Sequence, residues 1–307
     1  MKHLVSPPLR SLLTALALAA TAASSFGGTP AEKNPIINDA PGSSLHALLQ
    51  LDVSDHYITP RGLNVENEGA IFQPLFLVFA DLYTNKEAFL SSISATAGVW
   101  SSIHTNESGA DPGHWNEFDP IFGLTFKFAK QLKFDATYTS FISMVDSYPT
   151  SHHLELKLSL DDSPWLGAFA LNPYVAYWQE LSNKATVTFN QATSQTSYYF
   201  TLGIDPTIKL GSAKLEFPTF INIVGEDFYQ RMDGSPGGDG LALVCTGAKL
   251  SLPMSFVPKQ YGFWTFYAGV KYYHLENDGL LDGNMVLTAN EHRKDLVQFH
   301  TGISIFF

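Results

Sequence analysis

From residue 44 onward the chain alternates apolar and polar side chains with a period of two, which is the pattern of β-strands. In residues 116–128, Phe118 and Phe122 alternate with Glu117 and Asp119. Residues 153–161 repeat the pattern. Neither an apolar segment long enough for a membrane-spanning helix nor a long helical stripe interrupts it. The sequence therefore predicts an all-β protein, although alternation alone is shared by membrane barrels and soluble sandwiches.

The connections between the predicted strands separate these two classes. Connections after odd-numbered strands are long and polar, such as 225–240 and 277–293, whereas Asn85-Lys86 and Gly211-Ser212 mark short ones after even-numbered strands. Outer-membrane barrels have this rhythm, with short turns in the periplasm and long loops outside. We therefore predict an antiparallel transmembrane β-barrel of about 12 strands with periplasmic termini. The predicted strands are 44–57, 69–83, 88–103, 115–130, 132–146, 151–161, 168–182, 196–211, 213–225, 240–253, 263–276 and 294–307.

The N-terminus has the pattern of a secretory signal. A basic start with Lys2 and Arg10 precedes an apolar stretch that ends in small residues around Ala22, as signal peptidase requires. A segment rich in Pro, Gly and Asn follows and is typical of a flexible linker. The predicted organisation is a signal peptide over 1–23, a flexible periplasmic lead-in over 24–43 and an outer-membrane β-barrel over 44–307.

The last strand carries apolar residues on one parity and ends on Phe307. This ending is typical of the strand that the barrel assembly machinery binds, so we expect that machinery, outer-membrane lipid and lipopolysaccharide as partners. Aromatic residues near strand ends predict contacts at the headgroup level. They are Trp100, Trp115, Tyr148, Trp165, Tyr177, Trp178, Tyr261, Trp264 and Tyr273.

Composition narrows the possible partners. Only 15% of residues are charged, against roughly 25% in soluble domains. The net charge of −11 argues against nucleic acid as a partner, because phosphate binding needs a surplus of Lys and Arg. The single cysteine, Cys245, allows no intrachain disulfide and no thiolate zinc site. Its parity places it on the same face as Lys249 and Ser251. We expect no metal and no cofactor.

Charges of both signs occupy the parity that faces the barrel interior. The structural interpretation is a cross-strand network in which each confined charge has a partner of opposite sign. The functional one is a constriction that selects small polar solutes, with Asp52, Glu117 and Asp119 as first choices. The other inward candidates are Lys127, Asp135, Glu155, Lys157 and His300.

Enzymatic activity is a weaker prediction. Closure of the barrel brings His300 on the last strand near Asp52 on the first, but no nucleophile elbow, zinc-protease motif or phosphate-binding loop is present. We therefore predict a narrow porin-like channel or a binding protein for small polar molecules, and not an enzyme. A structural or surface-interaction barrel with a plugged lumen is the first alternative. An outer-membrane lipid-modifying enzyme is the second.

The segment Ser54-Asp55-His56-Tyr57 with Arg61-Gly62, followed by Gly98-Val99-Trp100-Ser101-Ser102, Glu117-x-Asp119 and Tyr148-Pro149, resembles a family of exported bacterial barrels of uncharacterised function. Its members carry an S-D-Y-x-x-R-G opening motif. His56 and extra residues before Arg61 depart from that motif, as does Ser102 in place of Asn. The resemblance implies an outer-membrane barrel without naming a substrate. It also implies that Asp55, Arg61, Trp100, Glu117 and Asp119 come together near the outer rim.

Overall fold

The computed structural model describes residues 44–184, 196–288 and 292–307. Within them, strands that are neighbours along the chain pair antiparallel, and the last strand pairs with the first, so the sheet closes into a twelve-stranded barrel. The predicted antiparallel barrel of about 12 strands is confirmed. The predicted signal peptide and lead-in lie outside the described residues. The strands are β1 (Leu45–Ser54), β2 (Ile71–Thr84), β3 (Leu90–Ser108), β4 (Gly113–Phe128), β5 (Leu132–Ser143), β6 (Ser151–Leu160), β7 (Tyr174–Ser182), β8 (Tyr198–Ile204 and Thr207–Leu210), β9 (Ala213–Glu216 and Thr219–Val224), β10 (Gly240–Pro253), β11 (Phe263–Leu275) and β12 (Asp295–Phe306).

The barrel is apolar outside and polar inside. On β1, Leu49 and Leu51 point outward and are 41% and 45% exposed, whereas Gln50 and Asp52 point inward and are each 8% exposed. A soluble protein buries its large apolar side chains, so this distribution is inverted and matches a barrel surrounded by lipid. Other exposed apolar side chains on the strands are Phe72, Phe76, Phe122, Leu158, Val175, Phe200, Leu202, Phe266, Val297, Phe299 and Ile303.

The two ends of the barrel differ in their connections. At the turn end, where β1 begins and β12 ends, residues 85–89, 129–131 and 211–212 make short turns. The connection over 161–173 is longer than predicted, because Pro173 precedes β7 and a helical turn, α1 (Ser163–Leu166), forms there with a 3₁₀ turn at Gly167–Phe169. A second 3₁₀ turn lies at Lys259–Tyr261.

At the loop end, the predicted polar linker over 104–114 is mostly strand. β3 continues to Ser108 and β4 begins at Gly113, and these two residues pair across a four-residue turn. The prediction of a long loop was wrong because a strand that is polar on both faces lacks the apolar–polar alternation by which strands are predicted from sequence. A paired strand that extends into water can also be polar on both faces.

The remaining loop-end segments fold into the barrel mouth. The first connection forms an inner hairpin in which Tyr57–Ile58 pairs with Asn64–Glu66. Helix α2 (Asp278–Thr288) lies over this hairpin: the backbone N–H of Asn64 donates to Asn284 Oδ1 at 2.8 Å, and Asn284 Nδ2 donates to the Gly62 carbonyl at 3.0 Å. We call the inner hairpin, residues 228–231 and α2 together the plug.

Helix α2 falls in a segment that the sequence pattern assigned to a polar linker. Its apolar stripe is short, and Gly279 and Gly283 lower its intrinsic helix propensity. The helix is stabilised instead by Leu280 and Leu281, which are buried in the same hydrophobic core as Ile58 and Leu63 of the inner hairpin. Across the described ranges, no helix has the length and apolar character needed to cross a membrane.

Candidate functional site

The barrel interior divides into two regions of different chemistry. The plug region is a core of aromatic and aliphatic side chains formed by the plug and the strands around it: Ile58, Leu63, Phe141, Trp178, Tyr199, Phe228, Tyr229, Leu243, Cys245, Leu275, Leu280 and Leu281. The charged region extends from the middle of the barrel toward the turn end and contains Asp52, Asp135, Glu155, Lys157, Glu216, Lys249, Lys271 and His300.

An acidic pair lies where the inner hairpin meets the barrel wall. Glu117 and Asp119 on β4 are both buried, and the hydroxyl of Tyr57 donates to Glu117 Oε2 at 2.6 Å. The Tyr57 ring lies 5.6 Å from the ring of Trp100 on β3. Burial, with the charges of both carboxylates, raises the pKa of Tyr57 well above its usual range, so the phenol stays a donor. The hairpin thus supplies the hydrogen bond that this buried carboxylate requires.

Arg61 sits at the tip of the same hairpin and is also buried. Thr59 and Gly62 close the tip through a 2.8 Å backbone hydrogen bond, and Gly62 has a φ of 84°. The guanidinium carbon lies 4.7 Å from the ring centroid of Phe141 and 5.3 Å from that of Trp178. This placement gives the cation two aromatic faces in the barrel interior.

Burial acts to lower the pKa of Arg61, but Tyr199, Tyr57 and Glu117 act in the opposite direction, and the net shift is upward. The side chain is therefore cationic. The Tyr199 hydroxyl lies beside the guanidinium, and the Tyr229 hydroxyl donates to the Arg61 backbone carbonyl. Contacts to three different segments fix the position of this charge.

A stack of rings adjoins the guanidinium. The His153 ring on β6 lies 4.4 Å from Trp178 with an interplanar angle of 17°, and 4.1 Å from Phe141. Trp178 also stacks on Tyr199 at 5.1 Å. These are flat, rigid side chains, so they form a preorganised wall beside Arg61.

The charged region holds a second set of directed contacts. Closure of the barrel brings Asp52 and His300 together, with His300 Nδ1 3.1 Å from Asp52 Oδ2. The hydroxyl of Tyr267 donates to the same oxygen at 2.9 Å. The third member of this group is a phenol rather than a serine or cysteine, so the described contacts place no activated nucleophile beside His300.

Ion pairs occupy the rest of the charged region. Lys249 and Lys214 lie 3.2 and 2.8 Å from the carboxylate oxygens of Glu216. Asp135 accepts from Thr125 at 2.6 Å and lies 2.8 Å from Lys133. Lys157 lies 3.8 Å from the ring centroid of Tyr174, on the same strand as the buried Glu155. Confined charges in this region are therefore largely paired, as the cross-strand network interpretation requires.

Two predicted site residues lie outside the interior. Asp55 is at the loop-end rim, where it accepts from the backbone N–H of Phe299 at 2.9 Å, because the chain leaves β1 at Ser54. Lys127 is exposed at the turn-end mouth, because β4 ends one residue later. The other eight predicted residues are buried inside: Asp52, Arg61, Glu117, Asp119, Asp135, Glu155, Lys157 and His300.

The aromatic prediction was wrong for four residues. Trp100, Trp178 and Tyr273 are buried in the interior, and Tyr148 packs against the plug-region core, rather than at a membrane interface. Their parity along the strands gives the reason, since Trp178 shares a face with the buried Ala176 and Glu180. Trp115, Trp165 and Tyr261 are exposed near strand ends, as expected for interfacial aromatics.

Sequence reasoning did not single out Tyr57, His153 or Tyr229 as site residues. Tyr57 and Tyr229 lie in connections, whose inward fold has no periodic signal. His153 could have been found, because it shares its parity with Glu155 and Lys157.

No family model and no curated protein matches this chain. Its fold is similar to solved outer-membrane proteins at low identity. The NanC porin is 12% identical with a TM-score of 0.41, over 85% of this chain and 98% of that one. The translocator domain of autotransporter NalP from Neisseria meningitidis is 13% identical with a TM-score of 0.41, over 88% and 90%. Outer membrane phospholipase A from Escherichia coli is 13% identical with a TM-score of 0.37, over 85% and 92%.

Proposed function

We propose that this protein spans an outer membrane and takes small polar molecules into its interior, as a binding protein or a narrow channel whose loop end is closed at rest. In this proposal the turn end and both ends of the barrel chain face the periplasm, and the loop end faces outward. The long loop-end connections support that orientation.

The inverted distribution of side chains carries the proposal. Leu49 lies near the middle of β1, is 41% exposed and pairs with the exposed Phe76. Its neighbour Gln50 is buried in the interior. An apolar outer face and a polar inner face are stable together only when the outside solvent is lipid.

The membrane part is tested by placing a charge on the outer face. Leu49→Arg should lower the free energy of unfolding in lipid bilayers by about 2–4 kcal/mol, while Leu45→Arg at the strand end should cost about 0–1 kcal/mol. The wild-type protein should also show heat-modifiable migration on a detergent gel and should fractionate with the outer membrane. Equal, small effects of both substitutions in a soluble fraction would contradict a membrane location.

The plug decides how such a barrel conducts. Its hydrogen bonds run from Asn284 to the inner hairpin and from Asn222 Nδ2 to the Pro60 carbonyl at 2.8 Å. These contacts and the buried core around Leu280 favour a closed loop end. We therefore expect brief, small openings from the wild-type protein in a planar bilayer.

The conductance experiment compares wild type with Asn284→Ala, which removes the two hydrogen bonds that Asn284 makes with the inner hairpin. More frequent openings in the variant would support a gated channel. The control is Asn183→Ala, which removes a 2.7 Å hydrogen bond to the Thr150 carbonyl that involves no plug residue. Silence of all three proteins at varied salt and voltage would contradict conduction and leave binding.

A permanently filled structural barrel is the second candidate. The observation that favours it is the burial of both interior regions, because a wide aqueous pore would leave its lining exposed. Substitution of Asp52 and Glu117 by Ala separates the two candidates. Altered ion selectivity would support a channel. A loss of stability in a variant that, like wild type, shows no conductance would support the filled barrel.

A further inference from the structure

The buried guanidinium of Arg61 has donors that nothing in the described part of the chain accepts from. Its Nε and Nη1 have no hydrogen-bond partner there, and neither has Nε1 of Trp178, whose ring lies 5.3 Å from the guanidinium carbon. Both side chains are less than 5% exposed. A buried donor without an acceptor costs roughly 1–3 kcal/mol, and more when the donor is charged.

The acidic pair Glu117 and Asp119 does not remove this need. Glu117 influences Arg61 through its charge, but its carboxylate is held by Tyr57, and no carboxylate oxygen of the described residues forms an ion pair with the guanidinium within 4.0 Å. Long-range charge compensation stabilises a buried cation without supplying hydrogen bonds. Arg61 therefore has partial electrostatic compensation and incomplete hydrogen bonding.

The surroundings of the unpaired donors have one chemical character. Phe141, Trp178 and the His153 ring form a flat aromatic wall. The hydroxyl group of Tyr199 lies beside the guanidinium. A planar guanidinium fork beside aromatic faces is suited to a carboxylate, which can accept two parallel hydrogen bonds from it.

We propose that the interior binds a small anion at Arg61, with a carboxylate as the best-fitting group and with the Trp178 indole N–H and the aromatic wall completing the site. This inference rests on the proposed function, because it names the class of polar molecule that the interior takes. The buried cations Lys157, Lys249 and Lys271 of the charged region line the interior on the side toward the turn end.

The test uses the full-length refolded barrel in detergent, titrated with sodium formate, sodium bromide, sodium glucuronate or neutral glucose, while a bulky sulfonate buffer holds the ionic strength constant. The readout is the thermal unfolding midpoint. We expect a saturable rise with formate that is at least about tenfold weaker in Arg61→Gln, since hydrogen bonds to a charged partner are lost. Lys259→Gln, which removes an exposed cation at the turn end, is the control and should respond like wild type.

Two further arms keep the result clear if Arg61→Gln folds poorly. Trp178→Phe keeps an aromatic face and removes the indole N–H together with part of the ring system, so it should weaken the formate response, and its unfolding midpoint without anion checks that the barrel is folded. A wild-type crystal soaked in bromide should show anomalous density within hydrogen-bond distance of Arg61. A response to formate and bromide but not to glucuronate would assign an inorganic or one-carbon anion rather than a sugar acid.

Equal responses of wild type and Arg61→Gln, or density for water only beside Arg61, would overturn the inference. Density that appears in the crystal without any response in solution would mean binding at crystal concentration only and would also count against it. None of these results depends on conductance or membrane fractionation. A barrel that fractionates with the outer membrane but ignores anions would therefore defeat this inference while leaving the proposed function intact.

Discussion

The two regions of the interior satisfy buried polar groups in different ways. In the charged region, opposite charges on the barrel wall meet each other, as Lys249 meets Glu216 on the neighbouring strand and Lys214 meets it on the same strand. In the plug region, segments that leave the barrel wall fold back into the interior and donate hydrogen bonds to buried groups of the wall, as Tyr57 of the inner hairpin donates to Glu117. The charged region is therefore built by strand register alone, whereas the plug region exists only while the plug stays docked.

This difference has a consequence for function. A region held by register changes only when the barrel unfolds, but a docked segment can leave while the strands remain paired. Any motion that opens this interior should therefore begin at the plug. The glycine at the hairpin tip is the place to test that expectation.

The largest effect is expected from Gly62→Ala. A Cβ at this position would lie 2.7 Å from Leu243 Cδ2 and 3.0 Å from Leu280 Cδ2, and the residue has a positive φ. Strain and overpacking together should lower the free energy of unfolding by about 2–4 kcal/mol. Denaturant unfolding of the refolded barrel, followed by tryptophan fluorescence, measures this.

Gly211→Ala is the matched control at the turn end. Gly211 also has a positive φ, of 64°, but nothing lies within 4 Å of a Cβ built there. It should therefore cost only the backbone term of about 1–2 kcal/mol. Equal losses from the two substitutions would show that the hairpin tip at Gly62 is not tightly packed against Leu243 and Leu280.

A smaller effect is expected from Tyr57→Phe, compared with Tyr267→Phe. Each substitution removes one hydrogen bond to a buried carboxylate, at 2.6 Å to Glu117 and at 2.9 Å to Asp52. Asp52 keeps His300, so Tyr267→Phe should cost about 1 kcal/mol, while Tyr57→Phe should cost about 1.5–3 kcal/mol. The same unfolding assay measures both. A larger loss of unfolding free energy from Tyr267→Phe than from Tyr57→Phe would mean that the stability of the charged region, and not that of the plug region, depends on a single hydrogen-bond donor.

The smallest effect is expected at the rim of the plug. Arg231 Nη2 lies 2.8 Å from Asp278 Oδ2, and both side chains are well exposed. Arg231→Ala should lower the free energy of unfolding by about 0.2–1 kcal/mol, and less at high salt, because water and ions screen such pairs. Unfolding midpoints at low and high salt measure it. A loss above that range that persists at high salt would place this pair among the main supports of the plug.

Sequence alone predicts the barrel and much of its interior, because strand periodicity assigns each residue to a face. Asp52, Glu155 and Lys157 were placed inside by parity, and they are buried there. Cys245 shares the inward face with Lys249 and Ser251, as expected. Closure of β12 on β1 likewise brings His300 to Asp52.

The plug could not be predicted in the same way. Residues 55–66 and α2 have no strand periodicity, and their positions depend on contacts with residues far away along the chain, such as Asn64 with Asn284. The resemblance to exported barrels implies that Arg61, Trp100, Glu117, Asp119 and Asp55 come together near the outer rim. The first four are buried in the interior, whereas Asp55 lies at the loop-end rim. Long connections in a barrel sequence therefore leave open whether they cover the mouth or enter it.

Cys245 provides the most direct measurement of the closed loop end, because it faces the interior within the plug region and is 2% exposed. The measurement is the rate at which a charged, membrane-impermeant thiol reagent modifies Cys245 in the folded barrel, relative to the unfolded chain. Protection of at least about a hundredfold is predicted for wild type, with faster modification after Gly62→Ala but not after Gly211→Ala. Modification of wild type at nearly the unfolded rate would mean that water fills the interior, and would contradict a loop end closed by the plug.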